Sequence, residues 1–168
     1  MDTAAYLDQL IKRIEPYFDI KKFDIKKNEK TTLPFVLLAE LNVSDEGYFL
    51  IHKLKTYSVK RNEYLYVVLC NEMFTQALAD NYIAYIKEIM QNLKTTPEHM
   101  SSLFSLVFIS PAGFDNGTKD YLCRFKYHKD YFFTLKGWSD LAIYSVDLLT
   151  NQVHTNKAGR NNLRIFTL

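Results

Sequence analysis

The 168 residues are 48% hydrophobic and 24% charged, with 21 Lys and Arg against 19 Asp and Glu. Those proportions describe one soluble globular domain over residues 1–168 and exclude a disordered chain; a net charge of +2 argues by itself for neither nucleic acid, an acidic substrate nor a membrane. Glycine is scarce, at 5, and neither a Walker-type phosphate loop nor a GxGxxG fingerprint occurs, so no cofactor is expected.

No apolar run approaches the roughly 20 residues that cross a bilayer. Met1 to Tyr17 lacks the uninterrupted apolar core of a signal peptide. Cys70 and Cys123 lie far apart without a CxxC or CxxH partner, which argues against a disulfide framework and a structural zinc. A cytoplasmic protein with no membrane association follows.

In chain order, Leu7, Leu10, Ile11, Ile14 and Phe18 form one apolar helical stripe over residues 3–18, and Pro16 ends or kinks it. Lys21 to Lys30 is charged and reads as a loop or short exposed strand. Three strands follow: Phe35 to Val43, Tyr48 to Val59 and Glu63 to Cys70, with turns at Ser44–Gly47 and Lys60–Asn62. The third is apolar on both faces, as a central strand covered on both sides would be.

Leu78, Tyr82, Tyr85, Ile86, Ile89 and Leu93 mark a helix over about 74–93, ended at Lys94–Pro97. Leu103 to Ile109 is a second two-sided apolar strand and, following a helix, a candidate parallel crossover strand. A short helix from Thr118 to about Tyr127 buries Tyr121, Leu122 and Phe125. Tyr131–Leu135 and Trp138–Leu149 read as a hairpin about Lys136–Gly137, before a last short strand at Gln152–Thr155 and a polar tail. No internal repeat is evident. The order α-β-β-β-α-β-α-β-β specifies an α/β (α+β) domain: a mixed, mostly antiparallel sheet with helices packed on it.

The order αβββαβ resembles the core of restriction-endonuclease-like nucleases. That resemblance implies a divalent metal held by an aspartate on the second strand and a Glu-x-Lys pair on the third. The chain departs from the pattern. The second strand carries Lys53 and Lys55 without a carboxylate, the third has Glu63 only at its start, and Asp45 and Glu46 sit in a turn. Glu40, the one acid inside these strands, reads as solvated or ion-paired. No metal site is expected, and a divergent nuclease stands as the last alternative.

His52, His99, His128 and His154 have no second ligand at metal-like spacing. His99 with Ser101 and Ser102 is the nearest local base and nucleophile; without a GxSxG elbow the stretch reads as a polar lead-in to the strand at Leu103. No catalytic residue is assigned.

Basic and aromatic residues interleave from Arg124 to Trp138, the pattern by which cations track phosphates while rings stack on bases. Residues 119–168 hold eight Lys and Arg against four Asp, a charge of +4 against −2 for residues 1–118. The candidate nucleic-acid contacts are Lys126, Lys129, Lys136, Trp138 and Arg160. The competing reading turns the rings into the core under lysine stems. The runs Glu98–Ser102, Phe125–Lys129, Lys136–Asp140 and Val146–Leu148 resemble a family of small uncharacterised prokaryotic proteins, which implies a cytoplasmic domain and carries no catalytic residue across. The chain therefore reads first as a non-catalytic binding module for a protein partner or a second copy of itself, and second as a nucleic-acid binder.

Overall fold

The computed structural model describes residues 2–21, 33–48 and 55–167. The stretches 22–32 and 49–54, which hold most of the charged segment and His52 and Lys53, lie outside the described residues. The elements are α1 (Thr3–Ile14), β1 (Asp19–Lys21), β2 (Leu37–Tyr48), β3 (Lys55–Leu69), α2 (Gln76–Gln91), β4 (His99–Ser110), α3 (Asn116–Arg124), β5 (His128–Asp130), β6 (Trp138–Asp147), β7 (Gln152–Thr155), a 3₁₀ helix (Lys157–Asn162) and α4 (Leu163–Phe166).

All seven strands form one mixed sheet in the order β1-β2-β3-β4-β6-β5, with β7 also on β6. Four pairings are antiparallel, but the centre, β3-β4-β6, is parallel. Two-sided apolar strands need cover on both faces, and the helices supply it. Tyr66, Val68, Phe104, Leu106, Phe108, Leu141 and Ile143 pack under α2 and α3; Leu65, Val67, Val107, Ile109, Ala142, Tyr144 and Val146 pack under α1 and α4. Most aromatic rings are spent here: Phe35 meets Tyr66 and Tyr82 edge-on at 5.5 and 5.3 Å, and Phe74 lies 4.5 Å from Phe108.

Several boundaries differ from the sequence reading. Ser44–Gly47 and Lys60–Asn62 are not turns; each lies inside a strand of one long β2–β3 ribbon, where Ser44 pairs with Lys60, Asp45 with Val59, Glu46 with Ser58 and Gly47 with Tyr57. The β2–β3 pairing runs past β4, whose pairing with β3 begins at Lys60. The acids at 45, 46 and 63 accordingly lie within strands. Tyr131–Leu135 is not a strand; β5 lies earlier, at His128–Asp130. The polar tail folds as the 3₁₀ helix and α4, pinned to α1 by Tyr6 Oη donating to the Phe166 carbonyl at 2.9 Å.

A structural repeat also emerges. Val67 pairs with Val107 and Phe74 with Phe114, an offset of 40 in both cases. On that offset Thr75 and Asp115 each cap the following helix through a side-chain oxygen. Cys70 Sγ and Ser110 Oγ both donate to the Glu72 carbonyl. The two strand-turn-helix units share geometry with few identities, so no repeat is visible in the sequence.

The outer edge of β6 is closed in two pieces, β5 along residues 138–140 and β7 along 144–147. Asn156, 1% exposed, closes the gap. Its Oδ1 accepts from Ile143 N at 3.1 Å, and its Nδ2 donates to the carbonyls of Leu141 (2.9 Å) and Phe125 (3.1 Å). Leu141 N donates to Tyr127 O, and Ile143 O receives Asn156 N and Thr155 Oγ1. Asn156→Ala would strand a buried N–H and buried carbonyls, each costing about 1–3 kcal/mol. Chemical denaturation of this variant should show a loss of at least about 3 kcal/mol; a loss under about 1 kcal/mol would contradict this role for the amide.

Candidate functional site

Open parallel sheets usually bind ligands beyond the C-terminal ends of their strands. At that end Ser110 Oγ donates to the Glu72 carbonyl, and among the described residues the buried Ser145 Oγ has no hydrogen-bond partner. Asp147, buried at the end of β6, is ion-paired with Lys119 Nζ at 3.0 Å and accepts Thr150 N at 3.0 Å. Burial opposes its ionisation, but Thr150 and Lys119 outweigh burial and hold the carboxyl below the usual range. Glu40, on β2, is paired with Lys21 on β1 at 3.2 Å.

The histidine–serine pair does form. His99 Nδ1 lies 2.7 Å from the Lys136 carbonyl, which can only accept, so Nδ1 carries the hydrogen. Nε2 of the neutral ring then accepts the Ser102 hydroxyl at 2.8 Å. Ser102 is 2% exposed, and its hydroxyl is held by this bond in the interior. The pair acts as a strut tying the start of β4 to the segment before β6.

That segment is the most unusual backbone in the chain. Phe132, Phe133 and Thr134 have φ of 50°, 53° and 68°, three consecutive non-glycine residues in left-handed conformation. Such residues cost about 1–2 kcal/mol each, and a β-branched one is an outlier. The base is anchored on every side. Tyr131 Oη donates to the Met90 carbonyl at 2.7 Å and meets Ser139 Oγ at 2.8 Å. Gly137, at φ 76°, sits where a Cβ would lie 2.3 Å from the Met100 carbonyl. Leu135 N to Phe132 O, Lys136 N to Tyr131 O and Gly137 N to Thr134 O close the turn.

The turn holds apolar side chains outward: Phe132 is 66% exposed, Phe133 91% and Leu135 73%. Lys136 Nζ stands 5.6 Å from the Phe132 ring centre. The competing reading of the basic-aromatic stretch turns its rings into the core; the left-handed turn, for which Phe-Phe-Thr gives no propensity signal, instead holds Phe132 and Phe133 outward.

The five residues singled out for nucleic acid are divided between two places. Lys136, Trp138 and Lys129 lie at or beside the turn, with Trp138 half-buried at the start of β6 and Lys129 paired to Ser139 in register. Lys126 and Arg160 lie beyond the other end of β5, both exposed. Next to Lys126 a groove of about 430 Å³ runs between the start of β5 and the 3₁₀ helix. On its wall His128 Nδ1 meets Asp140 Oδ1 at 2.8 Å and Nε2 meets Asp130 Oδ1 at 3.2 Å. Cross-strand pairing of His128 with Asp140 creates this contact, which a separation of 12 residues hides in the sequence.

A family model described as a domain of unknown function (DUF8052) matches residues 2–168. No curated protein and no solved structure matches the chain.

Two outcomes follow from these geometries. Thr134→Gly removes a left-handed β-branched residue and should raise stability by about 1 kcal/mol, measured by denaturation; a loss of stability would refute the strain. The hydrogen bond to Asp140, helped by Asp130 against partial desolvation, raises the His128 pKa above 6.5. The folded protein therefore favours the charged ring, and the contribution is fully present below the unfolded pKa and lost as pH rises through the folded one. NMR titration should place the His128 midpoint above 6.5 and show Asp140→Asn lowering it.

Proposed function

The chain belongs to the DUF8052 family, and from that premise we propose that it is a non-catalytic binding module that docks on a partner protein through the apolar turn at residues 132–135. The observation that carries this reading is the strained turn itself. Three of the eight exposed large hydrophobic residues among those described fall within four positions, on backbone held in a costly conformation by an anchored base. Strain of this kind persists where the surrounding structure over-determines it, and it clusters at functional sites. Seating Phe133 and Leu135 in an apolar pocket is worth about 1.5–3 kcal/mol each, the scale of interface hot spots. Lys136 and Lys129 flank the tip, so the complementary surface is an apolar pocket rimmed by carboxylates. The two unpaired cysteines suit a reducing prokaryotic cytoplasm, where we place the protein.

A photo-crosslinking residue at position 133, in cells expressing the chain, tests the reading. Discrete protein adducts should form there, vanish with Leu135→Ser, and not form from position 12 on α1, with melting temperatures unchanged. No adducts at 133, or the same adducts from both positions, would overturn it. Labelled oligonucleotide whose anisotropy rises at low salt and falls with Phe133→Ser would instead assign the turn and Lys136 to base stacking and phosphate contact.

A further inference from the structure

We propose that the groove at the outer edge of β6 binds a small phosphate monoester carrying a flat organic body, of the nucleoside monophosphate class. This site is independent of the turn and goes beyond the docking reading. Its volume, about 430 Å³, falls in the range of small-molecule sites and exceeds what a bare phosphate would fill.

The floor is apolar and electrically quiet. Phe125, Leu141 and Ala158 line it, and the amide of Asn156 beneath is fully used on the edge of β6. A ligand over this floor meets ring and aliphatic surface and no unmet polar group. Tyr127 adds a second ring on the wall, with Lys87 Nζ 4.8 Å from its centre.

The rim is cationic and uncommitted. Three lysines elsewhere are held in ion pairs: Lys21 with Glu40, Lys60 with Glu98 and Lys119 with Asp147. Lys126 and Lys157, on opposite walls of the groove, have no ion pair or hydrogen bond from their ammonium groups among the described residues, and the Asn161 amide has none either. The one carboxylate in the groove, Asp140, is engaged by His128 at 2.8 Å. Two free ammonium groups and a free amide facing an apolar floor match a dianionic phosphate joined to a flat body, since lysine binds phosphate as a point charge. The phosphate monoester belongs either to a free nucleotide or to the phosphorylated 5′ end of a nucleic-acid strand, and the experiment separates them.

Isothermal titration of the full chain at low salt, with AMP, UMP, adenosine and inorganic phosphate, tests the site. At least one nucleotide should bind, with adenosine and phosphate each about tenfold weaker or more. Lys126→Ala and Lys157→Ala should each weaken nucleotide binding by about tenfold, the scale of a charged hydrogen bond. Lys12→Ala, on α1, should change nothing. Both groove lysines are exposed, so melting curves should match the parent and separate lost binding from lost folding. A 3′-labelled, 5′-phosphorylated oligonucleotide that binds through the same two lysines, more tightly than its 5′-hydroxyl form, and is displaced by AMP identifies a strand end as the phosphate source. Absence of binding by both nucleotides at millimolar concentration, or binding indifferent to both lysine substitutions, would overturn the proposal. The turn reading stands or falls separately, because neither lysine belongs to the turn.

Discussion

The outer edge of β6 is the constraint on which the rest of the structure depends. A ten-residue strand in the parallel centre of a sheet presents a row of N–H and C=O groups on its far side, and each needs a partner. One long neighbouring strand would satisfy them. This chain uses two short antiparallel ones, β5 and β7, and fills the interval with the side chain of Asn156. The division has two consequences. The chain between β5 and β6 must reverse sharply at one end of the edge, and the chain after β7 must turn away at the interval. The reversal is the left-handed turn, and the departure opens the groove.

The turn persists because its base leaves it no alternative. Three left-handed non-glycine residues cost about 3–6 kcal/mol in sum, a large share of the net stability of a small domain. The Tyr131 hydroxyl, the His99–Lys136 bond and the close passage of Gly137 over Met100 fix both stems, and three backbone hydrogen bonds close the loop between them. The buried polar network below is fully partnered, as the low dielectric of the interior requires. His99 and Ser102 belong to this network, which gives the histidine–serine pair a structural role.

The sheet was legible in the sequence wherever hydrophobicity was two-sided. Glu63–Cys70 and Leu103–Ile109 are interior strands, parallel to each other, with stripe-bearing helices over both faces. The β2–β3 ribbon was misread because Ser-Asp-Glu-Gly and Lys-Arg-Asn are turn-like in composition, while a ribbon extending past its neighbours accepts polar residues on both faces. Of the candidate contacts, the basic-aromatic stretch was legible as a region and its internal division was not. Lys126 and Lys136 are ten residues apart in one interleaved run, yet β5 separates them to opposite ends of an edge. Phe132 and Phe133 face outward on a left-handed turn whose stem is fixed by the His99–Lys136 bond, formed across 37 residues and so hidden in the sequence.

Covered faces explain where the candidate surfaces lie. Helices occupy both sides of the sheet, and the C-terminal strand ends are closed by the Asp147–Lys119 pair and the two capped helix starts. The β2 side of the sheet ends in the short β1, with Lys21 and Glu40 paired across it. The β6 edge is where short strands, a 3₁₀ helix and a turn meet, and short elements leave side chains free that long ones would pair. Lys126, Lys157 and the outward Phe132 and Phe133 lie there for one geometric reason: an edge assembled from pieces ends many times, and each end is a loop or turn that carries its side chains at the surface.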